Sequence, residues 1–279
     1  MPITLIFNHL QGDTGLGDTI RGMYAYFILS KKIGFSMYYD FTDQNLGHCF
    51  TTNIEHICDK NCKIFRDMSA TGSEKTHEFV NFITTIAKYP EKQVFHIRTN
   101  HCFDVVSFED LTNKEYREAF LKWLKISPKL ESRIKNLSPT SSYISIHIRC
   151  GDHHMQNGPC TNDSRCDPND KKLDQLIENL AKKGNIVLFT DNLELRNKFK
   201  KYCLNTKTAI HIGQKATSEE VIDTVAEFFI LGKGSKIIAS VRSGFSYWPS
   251  IFFGKNYEID SINKTISSSV VPTYLNAKP

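Results

Sequence analysis

Apolar and polar positions alternate along the chain in segments of strand and helix length. The run ITLIFNHL (3–10) predicts a buried opening strand. A glycine-rich turn, QGDTGLGDTIRG (11–22), leads into a helix from about Thr19 to Ser30, and SMYYDF (36–41) reads as a second strand. Strand, helix, strand in that order implies a parallel pair with the glycine loop at the carboxyl edge of the sheet. From about His48 to Ser107 the pattern is mixed, with helix-like stretches and one further strand, KQVFHIRT (92–99). NKEYREAFLKWLKIS (113–127) then sets Tyr116, Phe120, Trp123 and Leu124 on one helical stripe, whose aromatic positions read as core rather than as a ligand platform.

Pro128 and the polar NLSPTSS (136–142) mark the linker between halves. Beyond it come strands at 143–149, 185–192, 208–213 and 235–240, and helices at 172–184, 193–202 and about 217–231. Such alternation predicts a doubly wound parallel sheet. The fold class is therefore α/β, with two Rossmann-like domains facing a crevice. The first spans 1–138 and the second 139–279, with the option that the last helix returns to the first. Ligands are expected at the carboxyl ends of both sets of strands.

Composition narrows the ligand. Net charge is only +5 and no long basic run occurs, which favours a phosphate-bearing small molecule over nucleic acid. No apolar run approaches the roughly 18 residues of a membrane span. The start, MPITLIFNHLQGD, lacks a charged n-region and a small-residue cleavage site, so a cytoplasmic location is expected. There the eight cysteines would remain thiols, and the sequons at Asn136, Asn162 and Asn263 would carry no weight. Cys58 and Cys62 are spaced CxxxC, and Cys160 and Cys166 lie near His153 and His154. Neither spacing is that of the common zinc pairs, and no metal site is expected.

The glycine loop does not fit the dinucleotide fingerprint: after Gly15 and Gly17 the third position is Ile20, and Gly22 comes too late. Asp40, ending the second strand, does mimic the ribose-binding acid of that fold, so an NAD(P)-dependent oxidoreductase stands as one alternative. No P-loop occurs. The loop reads either as a tight turn with left-handed glycines or as a ligand contact, the latter favoured by Arg21 one turn into the helix with Asp13 and Asp18 beside it. In YISIHIRCGDHH (143–154) the isoleucines 144, 146 and 148 share the core face, while Tyr143, Ser145, His147 and Arg149 share the other. Arg149 then ends the strand, where a guanidinium fork can hold two phosphate oxygens. Gly151 would let the backbone approach that anion, and Asp152 would orient the turn or pair with Arg149.

HIRCGD (147–152) matches the HxRxGD motif of the fucosyltransferase superfamily, and GLGDTIRG (15–22) resembles the N-terminal GxGNxxRG-type loop of the same enzymes. EFFILGKGSKIIASVRSGFSYWPSIFFGK (227–255) is similar to their closing pattern. The motifs stand in the family's order. The resemblance implies the GT-B fold, a nucleotide-sugar donor bound mostly by the C-terminal domain, and no metal or other cofactor. It makes Arg149 the ligand of the donor diphosphate and the stabiliser of the leaving group. Ser243, Gly244, Phe245 and Ser246 would present hydroxyls and backbone N–H groups to the phosphates, and Thr190 and Asp191 would line the nucleotide pocket. Gly15, Gly17, Arg21, His147, Gly151 and Asp152 join them on the donor side, although His147 also reads as a packed imidazole. The family's usual Asp of the third motif is Glu227 here.

Asp18 stands where many relatives have Asn. A carboxylate there could be the base of an inverting transfer, with Asp13 and Asp40 as acceptor-side rivals; a helix cap is the plainer reading. GDP-fucose is the donor that the family implies. The chain also resembles cytosolic glycosyltransferases of large DNA viruses of algae, for which UDP-xylose is the alternative. The acceptor would be a hydroxyl of a glycan or glycoprotein. A module that binds nucleotide or glycan without turnover is the remaining alternative.

Overall fold

The computed structural model describes residues 3–8, 15–41, 45–51, 63–65, 81–82, 84–85, 93–98, 106–150, 169–206, 216–241 and 243–259. The chain forms two compact α/β units, the first ending at Ser127 and the second beginning at Pro128. The strand expected at 208–213 lies outside the described residues, as do residues 260–279.

In the first unit the strands β1 (Ile3–Asn8), β2 (Ser36–Asp40), β3 (Lys63–Phe65) and β4 (Gln93–Arg98) lie in the order β2-β1-β4-β3, every pair parallel. The helix α1 (Leu16–Ile33) joins β1 to β2 and closes on Gly34, whose φ of 85° is left-handed and whose N–H donates to the Ser30 carbonyl. It begins earlier than its sequence pattern indicates, at Leu16 rather than Thr19, which draws Asp18 into the first turn. Helices α2 (Phe108–Thr112) and α3 (Lys114–Trp123) follow β4. The α3 stripe is core only in part: Phe120 and Leu124 are buried, Phe120 packing with Tyr24 and Phe27 of α1, whereas Tyr116 and Trp123 stay half-exposed.

The second unit opens with α4 (Pro128–Leu137), a helix where the sequence suggested a linker. Proline suits a first helical turn, and Leu130 and Ile134 bury one face. The exposed flank is joined to α7 (Ser218–Lys233) by Arg133 to Asp223 at 2.6 Å and Lys129 to Glu219 at 2.5 Å. These contacts place the helix in the second unit. The boundary accordingly falls at 127/128, about ten residues before the expected 138.

Strands β5 (Ile144–Ile148), β6 (Ile186–Thr190), β7 (Ile237–Ala239) and β8 (Tyr257–Ile259) run parallel in the order β6-β5-β7-β8. Between them lie α5 (Lys171–Lys183), α6 (Leu193–Lys198) and α7, with α8 (Gly244–Phe253) linking β7 to β8. Both faces of β5 are covered. Ile146 and Ile148 join a cluster with Leu173, Ile177, Leu188 and Leu195, while the polar face lies on α7 with Tyr143 Oη donating to the Ile230 carbonyl and Ser145 Oγ to that of Leu231. The alternating pattern thus marks two buried faces, one of them satisfied by side-chain hydrogen bonds. Each sheet reverses its strand order beside its opening strand, between β1 and β4 and between β5 and β7, and ligands of open α/β sheets bind at the carboxyl side of such points. No helix among the described residues is long and apolar enough to cross a membrane.

Candidate functional site

Arg149 and Cys150 continue β5 at the switch point of the second sheet. The Arg149 N–H donates to Ser240 Oγ at 3.1 Å, and the Ser240 N–H donates to the His147 carbonyl at 2.9 Å. From β6 comes Asp191. Its Oδ2 lies 2.8 Å from an Arg149 guanidinium nitrogen, and its Oδ1 accepts the Cys150 N–H at 2.8 Å. One buried carboxylate therefore fixes both the side chain of Arg149 and the backbone after it, while 22% of the arginine side chain stays exposed. A carboxylate that pairs with Arg149 is that of Asp191. Gly151 and Asp152 themselves, like Asp13, lie outside the described residues.

The neighbouring groups divide into those that face this edge and those that brace it. Thr190 is buried, and its Oγ1 accepts the Asn192 N–H at 3.2 Å. Ser243 caps α8 by accepting the Phe245 N–H at 3.3 Å; it and Gly244 are half-buried at the helix start, where the unpaired amides of a first turn favour an anion. Ser246 is fully buried, and its Oγ lies 3.2 Å from Tyr257 Oη, so it braces the turn rather than presenting a hydroxyl at the edge. The Phe245 ring is set 5.6 Å from His147 and 5.6 Å from Phe228.

His147 is buried, and its Nδ1 has no hydrogen-bond partner among the described residues. Burial pushes its pKa down to about 4, with Asp191 opposing and Arg149 reinforcing the shift. The imidazole is neutral at pH 7. Glu227, also buried, receives a hydrogen bond from Arg196 at 2.6 Å and another from the Thr206 hydroxyl on the same oxygen, Oε1. Its Oε2 has no partner among the described residues. Burial raises this carboxyl's pKa, against the pull of Arg196. Sequence reasoning missed Arg196 and Ser240; a charged residue in the amphipathic LELRNKFKKY and a serine ending SKIIAS give little to single them out.

In the first unit Gly15 caps α1 with φ of −70°, and Gly17 is buried within the helix, so neither is the left-handed turn residue that the sequence suggested. Asp18 is 37% exposed at the side chain and lies 3.4 Å from the buried guanidinium of Arg21. Asp40 is buried at the end of β2, in register with Asn8. The edge of this sheet thus carries Asp18 and Arg21 at the start of α1 and Asp40 at the end of β2. Among the described residues no three His, Cys, Asp or Glu side chains come together as a metal site; Cys58, Cys62, Cys160, Cys166, His153 and His154 lie outside them.

No protein-family model and no curated protein matches the sequence. Solved structures do match. Fucosyltransferase NodZ from Bradyrhizobium is similar at 12% identity over 88% of this chain and 92% of that one, with a TM-score of 0.53. A variant of Arabidopsis thaliana FUT1 in complex with GDP gives 13% identity over 91% of this chain and 69% of that one, with a TM-score of 0.55. POFUT1 in complex with GDP gives 10% identity over 94% and 100%, with a TM-score of 0.54. At such identities the likeness is one of fold: the chain has the α/β, GT-B-like architecture of these fucosyltransferases.

Proposed function

We propose that the chain is a glycosyltransferase of the fucosyltransferase superfamily, moving fucose from GDP-fucose to a glycan hydroxyl with inversion and without a metal ion. The observation that carries this reading is Arg149, held at the switch point of the second sheet by Asp191 and Ser240 beside the start of α8. A guanidinium fixed before the ligand arrives can clamp a diphosphate and take up the charge that develops as it leaves. Solved GT-B structures with GDP bound, such as those of FUT1 and POFUT1, support a guanosine donor.

The transfer requires three events. The acceptor oxygen attacks the anomeric carbon, the bond from that carbon to the β-phosphate oxygen breaks, and the acceptor proton passes to a base. We assign the base to Asp18, which is more accessible than the buried Asp40. The released diphosphate keeps the bond electrons, neutralised by Arg149 and the start of α8. Neutral His147 adds no charge to the donor side.

A thermal-shift panel of GDP, UDP, GDP-fucose, UDP-xylose and NAD, followed by product analysis with a glycan library, tests the reading. GDP and GDP-fucose should raise the melting temperature, and GDP-fucose alone should yield glycosylated product. Stabilisation by UDP-xylose instead would shift the donor to xylose; binding without product would leave a nucleotide-binding module, and stabilisation by NAD alone an oxidoreductase.

A further inference from the structure

A cavity of about 600 Å³ lies within the first unit along the outer side of β2, the edge strand of its sheet. That volume is within the range of small-molecule sites, about 300–1,000 Å³. Its walls come from the last turns of α1, from β2, and from segments 50–51 and 123–125. Those segments are joined by the Thr51 N–H, which donates to the Lys125 carbonyl at 2.9 Å, and by a bridge from Phe50 to Ile126. The site is separate from Asp18: from that residue to Ser30, which lines the cavity, α1 advances roughly 18 Å.

The lining combines half-buried aromatic rings, Tyr38 and Trp123, with the exposed hydroxyls of Ser36 and Thr51 and the exposed ammonium groups of Lys31 and Lys125. It contains no Asp or Glu. Neither lysine is paired with a carboxylate among the described residues, whereas Lys32, the next residue along α1, is neutralised by Asp110 at 2.5 Å. The cavity therefore pairs two lysines that lack a carboxylate partner among the described residues, Lys31 with its ammonium 5.1 Å from the Phe27 ring centre, with flat apolar faces and hydroxyls, of which that of Thr51 donates to the Lys125 carbonyl and keeps its acceptor side. A sugar carrying a carboxylate or sulfate matches all three: its C–H face covers an aromatic ring, its hydroxyls meet Ser36 and Thr51, and its anion meets the lysines.

We propose that this cavity holds acidic sugar residues of the acceptor glycan, away from the hydroxyl that is modified. The preference for a saccharide over an acidic peptide rests on the glycosyltransferase reading. Trigalacturonic acid, titrated into the full chain and followed by tryptophan fluorescence and saturation-transfer NMR, tests it. Binding should weaken at least tenfold in Lys31→Glu/Lys125→Glu by both readouts, in Trp123→Ala by saturation-transfer NMR, and at least tenfold for the neutral methyl ester of the same trisaccharide. GDP affinity should be unchanged in both variants. No binding, equal affinity for the ester, no loss in the lysine variant, or tighter binding of hexaglutamate would each overturn the proposal. Failure of the wild-type chain to bind GDP would count against the glycosyltransferase reading, while the trigalacturonate titrations alone decide the cavity.

Discussion

The two sheets open alike, each with a central parallel strand whose carboxyl end leads toward chemistry, but they furnish that end differently. After β5 the charged group is an arginine tied by a carboxylate at 2.8 Å, with the following amide tied to the same carboxylate and its own amide tied to Ser240. After β1 it is an aspartate, more than a third exposed, whose partner arginine lies at 3.4 Å. A group that must bind an anion gains from being fixed beforehand, since no ordering cost is then met on binding. A group that must take a proton has to be reached by the acceptor hydroxyl. The contrast suits the two roles assigned, donor clamp and base.

Arg149→Lys should separate them most sharply. Lysine keeps the charge but loses the fork, so kcat/KM for transfer should fall by about 10³-fold with the melting temperature little changed. Turnover close to wild type would remove Arg149 from the donor site. Next in size, Asp18→Asn should lower kcat by about 10²-fold while leaving GDP affinity and thermal stability near normal. If donor binding or folding collapses while kcat holds, Asp18 is a cap or structural acid, and the comparison between the two edges fails.

The bracing of the second edge also has a pH signature. His147 has a pKa of about 4 in the fold and 6.5 as its ordinary value, so between these the unfolded chain holds more protons and stability rises with pH. The gain between about pH 4 and 6.5 is on the order of 3 kcal/mol and is absent from His147→Gln, as denaturant titrations across that range would reveal. A variant with the same slope as wild type would place the pH dependence elsewhere. Smaller again is Gly234→Ala. A methyl group there would lie 2.3 Å from Ser145 Oγ and 3.1 Å from its amide, and that hydroxyl is already committed to Leu231. A loss of roughly 1–3 kcal/mol is expected in chemical denaturation.

How much of this was readable beforehand follows the kind of information each feature needs. Strands β1, β2, β4, β5 and β6 announced themselves as apolar runs, and Arg149 could be placed at a strand end by counting alternation alone. The helix α4 was lost because Pro128 and a polar tail outweighed a short stripe of Leu130, Ile134 and Leu137, and what fixes it is its packing on α7. Asp191 was foreseen as lining a nucleotide pocket, yet its pairing with Arg149 depends on β5 and β6 being neighbours, a fact of register. The contact of Ser246 with Tyr257 likewise depends on where β8 lies in the sheet. Residues close in sequence were legible; partnerships across strands were not.

The central claim is that Arg149 binds the donor's phosphates. Calorimetric titration of GDP and of guanosine into the wild-type chain and Arg149→Lys addresses it directly. The account predicts that the substitution weakens GDP at least tenfold and leaves guanosine within about twofold, because only the former carries the diphosphate that the fork holds. Equal losses for both ligands, or GDP binding that is indifferent to the substitution, would contradict it.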